Sequence, residues 1–599
     1  MQVSWEFSVE QGKMSQHTGA FFNGYDERNF KPEEVTARES AQNSIDAGKD
    51  DPNNLTTLIF QEIKLSGNNK EKFINLMNLK DNLDSRLESF GERDSIAKGN
   101  IKRFLEDDEV RLLLIRDYGT CGLGGDWEDN EREDNFNRLV MSLNLDDKAD
   151  VDSDVGGSYG LGKTVYAKRS EINTVFYHSV FKANSRSKYA RRRFMGTGIY
   201  PRHKFNGGKY GGFAFIGKDI GKTNDVAPFE DDEAQALWGE INNLVDVDIS
   251  RDDQEYGTDV LILMTSLDLM KIKKSIEDYY FPALLDKKLI VKFISSEGCR
   301  YDPDILNRED LDQFVRLYKQ VKSGDDTDEK ELKVGSLNRY SGHILGRIAL
   351  QRAEEDEANS SRNNCIALMR GTGMVVNYLK VGGDQYESAV GVFLADTDVH
   401  HYLIESENAA HSEWQENSTR LERKTGELGK KIVKKINTVT KARFVKFQRE
   451  LQPEVSQTRG ESGLLSKMLA KALKGSKTPG GEHPEKKFHN PVGINLTKIS
   501  RDKDISKWRL KVSSNDYTPS ESFTLNLAPS IVLMGDLKKV RVKRKPLNVT
   551  GDQEILNDEN PVISTRYIKG DVLEFFLSFS DPGVYNYNIE CTCTAEMEI

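Results

Sequence analysis

The sequence predicts an α+β protein of several units, and three observations carry that reading. At 599 residues the chain is too long for one hydrophobic core, so two to four domains are expected. Helix-like segments rich in Glu and Ala alternate with short apolar runs through the first 400 residues. Tyr585 to Ile599 alternates strictly, with Tyr585, Tyr587, Ile589, Cys591, Cys593, Ala595, Met597 and Ile599 on one face. That last pattern is a half-buried strand, and it predicts a small β-sandwich at the end of the chain.

In order, residues 33–48 (EEVTARESAQNSIDAG) read as a helix stopped at Gly48. RLLLIR, 111–116, reads as a buried strand ending at Asp117, followed by a Gly-rich loop, 117–125. GGSYGLGKT, 156–164, is a second Gly-rich turn opening a helix. Strands are expected at 172–183, 212–216 and 258–264. From about 270 to 400, helical stretches alternate with strands such as KLIVKFIS and CIALMRGTGMVVNYL, which predicts a second α/β unit. Residues 403–450 read as one long helix or a helix pair, and 475–491 are linker-like in composition. The expected units are 1–265, 266–402, a helical arm 403–475, a linker 476–491 and a β-domain 492–599.

Composition excludes collagen-like, low-complexity and membrane classes. Apolar runs such as Leu112–Ile115 are far too short to span a bilayer. Five cysteines make no disulfide framework, and the N-terminal residues show no basic and apolar leader, so a cytoplasmic protein is expected. The net charge is 85 − 96 = −11, but it is segregated. Residues 126–154 hold eleven acidic and three basic residues, whereas 419–489 hold eighteen basic and seven acidic.

Four motifs carry chemistry. In ESAQNSIDA, Glu39 and Asn43 are four apart and share a helix face, with Asp46 one turn on. A carboxylate there can orient a water as general base, and an amide oxygen is a hard ligand suited to Mg²⁺. Asp117 at a strand end can accept a hydrogen bond from an exocyclic amine such as adenine N6, while Gly119, Gly122 and Gly124 let backbone approach a ligand. Gly157, Gly160, Gly162, Lys163 and Thr164 formally match a P-loop, but the preceding DDKADVDSDVG is acidic and polar where a P-loop needs a buried strand. At a helix N-terminus the same glycines still cradle phosphates, and Lys163 adds a point charge. Gly257-Thr258 opens the strand DVLILM, and its hydroxyl can bond a ligand or a water. Taken singly, each motif also suits an ordinary turn or a solvated helix face.

In this order the four resemble the GHKL ATPase superfamily of gyrase, the ninety-kilodalton heat-shock chaperone, histidine kinases, MutL and MORC. The likeness covers roughly residues 15–265. It implies a Bergerat-type ATPase sandwich with ATP and Mg²⁺ as ligands. QNSIDA is similar to the N box, with Glu39 as catalytic base, Asn43 as metal ligand and Asp46 in the nucleotide site. DYGTCGLG is similar to the G1 box, with Asp117 at the adenine, although its glycine spacing is one residue longer than the usual DxGxG. GGSYGLGK is similar to the G2 box closing an ATP lid, and GTDVLIL to the G3 box, with Thr258 near the adenine. An N-terminal ATPase followed by an α/β transducer-like unit matches the MutL, MORC and gyrase order. The resemblance then implies a basic sensor of the γ-phosphate from the second unit. Arg370 in ALMRGTGMVV is the candidate, with Lys380 and Arg352 as rivals.

The family mechanism implied is an ATP-gated clamp whose N-terminal units pair as a homodimer on ATP binding. Residues 419–450 are basic by eleven to three, and Lys430, Lys431, Lys434, Lys435, Lys441 and Arg443 suit contacts with a nucleic-acid backbone. Lys467, Lys471 and Lys474 form a second stripe, and Lys539, Arg541 and Lys543 a third on one strand face. Nucleic acid is therefore the preferred client. ATPases of this type also occur in multi-gene bacterial systems, including antiviral defence. The rival is a chaperone-like scaffold remodelling a protein partner through the β-domain. Asp396, Asp398, His400, His401 and His411 cluster in sequence, without the spacing of a tetrahedral metal site.

Overall fold

A computed structural model describes residues 2–10, 30–48, 55–128, 134–141, 162–221, 225–354, 362–371, 373–381, 387–408, 411–451, 492–502, 505–515, 518, 522–535, 541–544, 548–551, 563–580 and 587–598. Helices and strands mix up to residue 450, and the elements described beyond it are all strands. The first sheet has twelve strands. They are β1 (Val3–Val9), β2 (Thr56–Ser66), β3 (Glu109–Tyr118), β4 (Thr174–Val180), β5 (Arg192–Ile199), β6 (His203–Phe205), β7 (Gly208–Asp219), β8 (Val226–Ala227), β9 (Phe229–Glu230), β10 (Gly257–Ile262), β11 (Leu289–Ile294) and β12 (Arg300–Tyr301). The order is β1-β7-β5-β4-β10-β3-β2-β11-β12, with three short strands at its side. Every pairing is antiparallel except β11 with β2.

β3 shows why its sequence is continuously apolar. Leu112 and Leu114 enter one core, while Leu113 and Ile115 enter another on the opposite face. A strand buried on both faces has no polar side to alternate with. The first face is covered by helices α2 (Gly67–Leu76), α3 (Ser95–Glu106) and α5 (Asp231–Asn242) through Phe73, Phe104 and Trp238. The second is covered by α1 (Pro32–Ala47), α4 (Gly162–Arg169) and α6 (Leu269–Leu285) through Ala37 and Ala41, Tyr166, and Ile272 and Ile276. α1 starts with Pro32 and carries Glu33 and Glu34 in its first turn, where acids complement the helix dipole. Its residues Val35 to Ala41 are all buried, so the helix is packed around its circumference.

The sheet does not stop at residue 265. α6 packs on it, and β11 adds the parallel strand beside β2. The second sheet is β13 (Thr327–Asp328), β14 (Leu332–Ser336), β15 (Gly346–Arg352), β16 (Cys365–Arg370), β17 (Met374–Lys380) and β18 (Ala389–Ala395), ordered β13-β14-β15-β18-β16-β17. One face packs on α7 (Glu309–Ser323) and Phe281 of α6. The other packs on α8 (His400–Ser406) and α9 (Thr419–Glu450). The basic helix is therefore no free arm. Leu421, Ile432, Val433, Ile436, Phe444 and Phe447 seat it on the second sheet.

The last strands, β19 (Gly493–Asp502) to β26 (Tyr587–Glu598), form two four-stranded sheets. Trp508, Leu510 and Phe575 of one sheet share a core with Leu525, Leu527 and Tyr567 of the other. The alternating C-terminal run is β26, paired antiparallel along its length with β21 (Phe523–Gly535). The expected linker and the stripe at Lys467, Lys471 and Lys474 lie outside the described residues.

Candidate functional site

The motifs at 39–46, 117–124 and 257–258 meet at the end of β3, and residue 162 opens α4, a helix that packs on the same face of the first sheet. Asp117 is the penultimate residue of β3, and the β3–β10 register sets it beside Thr258. Its Oδ1 accepts from the Thr120 hydroxyl at 2.6 Å and from the Thr258 backbone N–H at 2.9 Å. Its Oδ2 has a longer contact, 3.4 Å, from the hydroxyl of Ser44 on α1. Burial pushes the Asp117 carboxyl above its usual range, with Thr120, Arg251 and the Thr258 amide pulling the other way.

The glycines have separate reasons. Gly119 and Gly122 have φ of 73° and 65°, a left-handed backbone that suits glycine. Gly122 also lies where a Cβ would sit 2.5 Å from the Val180 carbonyl. A Cβ on Gly257 would be 2.1 Å from the Asp117 carbonyl. Gly124 rests against the Phe181 ring. Gly157 and Gly160 are outside the described residues. Gly162, Lys163 and Thr164 open α4, with nothing described of their side chains.

On α1, Glu39 is 4 % exposed, while Asn43 and Asp46 face solvent. Burial pushes the phenol of Tyr166 on α4 up to about 12, with Ser40 and Asn43 of α1 pulling it the other way. Sequence reading passed over this tyrosine. It also passed over Ser179 of β4, whose hydroxyl donates to the Gly257 carbonyl at 2.7 Å and accepts from the Leu123 amide at 2.9 Å. Neither had a motif, since Tyr166 acts between two helices and Ser179 across strands.

Behind Asp117 lies a buried ionic cluster on Asp259, the residue after Thr258. Arg116 reaches Asp259 at 2.8 Å, Arg251 at 2.7 Å and His178 Nδ1 at 2.7 Å. Arg251 also donates to the Asp117 carbonyl at 2.8 Å. Burial alone would raise the Asp259 carboxyl, but Arg251 and Arg116 override it and hold it well below the usual range. Arg192 donates to His178 Nε2 at 3.0 Å, so that nitrogen carries a lone pair and Nδ1–H faces Asp259. His178 is therefore neutral, and burial lowers its pKa to about 4 against the opposing pull of Asp259.

Arg370 ends β16 and is 2 % exposed. Its Nε lies 2.8 Å from Glu407, so it is an ion-paired buried residue although it stands beside a Gly turn in sequence. Lys380 and Arg352 sit at the opposite end of their strands, since Cys365 pairs with Lys380 and Arg370 with Met374, while Arg352 pairs with Ala389. His411 pairs with Glu407 at 2.7 Å, and Asp398 with His343 at 3.0 Å.

Of the basic residues on α9, Lys431, Lys434 and Lys441 are exposed, as are Lys446 and Arg449. Lys430 is instead paired with Glu422 and Glu427, Lys435 lies over the Tyr340 ring, and Arg443 is half-buried. Arg541 and Lys543 lie on β22 (Arg541–Arg544), and Lys539 lies outside the described residues. No helix among the described residues is long and apolar enough to cross a membrane. No protein-family model matches this sequence, and no curated protein matches it either.

Proposed function

We propose that the first unit is a Bergerat-type ATP-binding domain of the GHKL kind, hydrolysing ATP with Mg²⁺ in a cytoplasmic clamp that pairs as a homodimer. The observation that carries this reading is convergence. Residues 39–46, 117–124 and 257–258 are far apart in sequence, yet the Asp117 carboxylate takes bonds from both Thr258 and Ser44. A buried carboxylate with one lightly engaged oxygen fits an exocyclic amine such as adenine N6. Asn43, exposed on the same helix, is the hard oxygen donor for Mg²⁺, which when bound would neutralise phosphate charge. Glu39, one turn before it, is the base that takes a proton from the attacking water. The backbone at the start of α4 has the polarity to hold phosphates.

Glu39→Gln tests this. Hydrolysis should fall about 10²- to 10⁴-fold while calorimetry still shows ATP binding. Undiminished turnover removes Glu39 from the role, and absence of ATP binding by the wild-type chain removes the whole reading.

The client we favour is a nucleic-acid backbone. The exposed lysines of α9, on a helix otherwise fixed to the second sheet, support that choice. ATPase rates with duplex DNA across a salt series separate it from the protein-remodelling rival. Steep salt-dependent stimulation supports nucleic acid, and stimulation by an acidic protein alone supports the rival.

A further inference from the structure

Four buried polar residues form a continuous line between the two units. Arg38, adjacent to Glu39, is 2 % exposed. Among the described residues its guanidinium donates to three carbonyls, all beyond the first unit: Val375 at 3.3 Å, Val376 at 3.1 Å and His411 at 2.7 Å. The rings of Phe30 and Tyr279 flank it at 4.8 and 4.4 Å. The His411 ring continues the line to Glu407 at 2.7 Å, and Glu407 to Arg370 at 2.8 Å. Gln42, one turn along α1, makes a long contact of 3.5 Å to the other His411 nitrogen. Tyr280 of α6 braces the same helix by donating to the Arg38 carbonyl at 2.7 Å.

We propose that Arg38, His411 and Glu407 are positioning residues, holding Glu39 on α1 and Arg370 on β16 in one register so that the second unit takes part in the nucleotide reaction. The inference rests on the proposed reading of Glu39 as the base and on Arg370, buried and ion-paired as it is, being the second unit's contribution to the nucleotide site. Its physical basis is the cost of partial disruption. A buried guanidinium whose acceptors are two strand carbonyls and the His411 carbonyl cannot slide without losing them, and a buried carboxylate cannot lose one cation without remaining charged. The line is therefore made or broken as a unit, and a displacement at one end is felt at the other. Arg370 is held by a carboxylate whose charge is itself secured. Burial would raise Glu407, but Arg370 and His411 keep it ionised.

The test uses the full chain. Glu407→Gln keeps the shape and removes the charge. It should lower kcat for ATP at least tenfold with KM within twofold, and Arg38→Lys should do the same. The double variant should be no slower than the slower single. Multiplying losses, an effect on KM alone or an unchanged kcat would overturn the proposal. Should Glu407→Gln not fold, His411→Ala carries the test. It should be slow, while His411→Asn, which retains a donor for Glu407, should recover to within threefold. Equal losses in those two would also overturn it. If the wild-type chain hydrolyses no ATP, the functional reading fails on its own. The line is then judged by hydrogen exchange, where amides 35–44 of α1 should exchange at least tenfold faster in Glu407→Gln, and unchanged exchange overturns the inference.

Discussion

His178, buried against Asp259, should make the first unit acid-sensitive. In the unfolded chain an imidazole titrates near its ordinary value of about 6.5. In the fold burial lowers it to about 4. Above pH 6.5 the ring is neutral in both states and contributes no pH dependence. Between 6.5 and 4 the unfolded chain takes up the proton first, so stability falls as pH falls, and below 4 the loss is complete. The difference of about 2.5 units corresponds to about 3 kcal/mol, a large part of a typical 5–15 kcal/mol. Native-state hydrogen exchange on β4 and β10, read at half-unit steps from pH 7 to 4.5, measures the opening energy of the strands that carry the cluster. His178→Asn should be less stable at pH 7 but should lose this component of the slope. Carboxylates elsewhere titrate alike in both proteins and cancel in the difference. Parallel curves for the two proteins, or a ring signal titrating near pH 6.5 in the folded chain, would refute the reasoning.

Three further outcomes are expected. Asp117→Asn should abolish ATP binding by calorimetry yet leave the thermal midpoint at pH 7 equal or higher. The raised carboxyl favours its protonated form, so its contribution is present in acid and lost as pH rises. Gly257→Ala should cost about 1–3 kcal/mol in urea unfolding and weaken ATP binding, because its Cβ would meet the Asp117 carbonyl. Replacing Lys431, Lys434 and Lys441 with Gln should lower the log–log salt slope of duplex DNA binding by about 3, if each meets one phosphate.

Local patterns placed α1 to within one residue at each end and β3 to within two. The apolar run at 112–115 and the Gly48 stop are signals within one element. They also brought out Asp117 and Thr258. What they could not give is pairing at a distance. The run KLIVKFIS reads as a strand of the second unit, yet it pairs in parallel with β2, more than two hundred residues earlier. The basic helix reads as an arm because its lysines dominate its composition, while Ile432, Val433 and Ile436 already mark the face that seats it. Arg370 beside a Gly turn reads as exposed, since nothing local reveals Glu407 waiting on another element. Tyr166, Ser179 and the Arg38 line carry no periodicity. Their roles exist only once strands and helices from distant sequence are side by side.

α6 constrains how the molecule can be divided. Ile272 and Ile276 belong to the first core, Phe281 to the second, and the Ala283 amide donates to the Gly373 carbonyl at 3.2 Å. A fragment ending at residue 265 would lose the α6 part of the cover of one sheet face and leave β2 with an unpaired edge, a surface prone to aggregation. The smallest fragment that keeps the first sheet intact runs through β12, to residue 301. For the same reason the linker before α6 is a poor place for a hinge, since the helix that follows it is bolted to both sides.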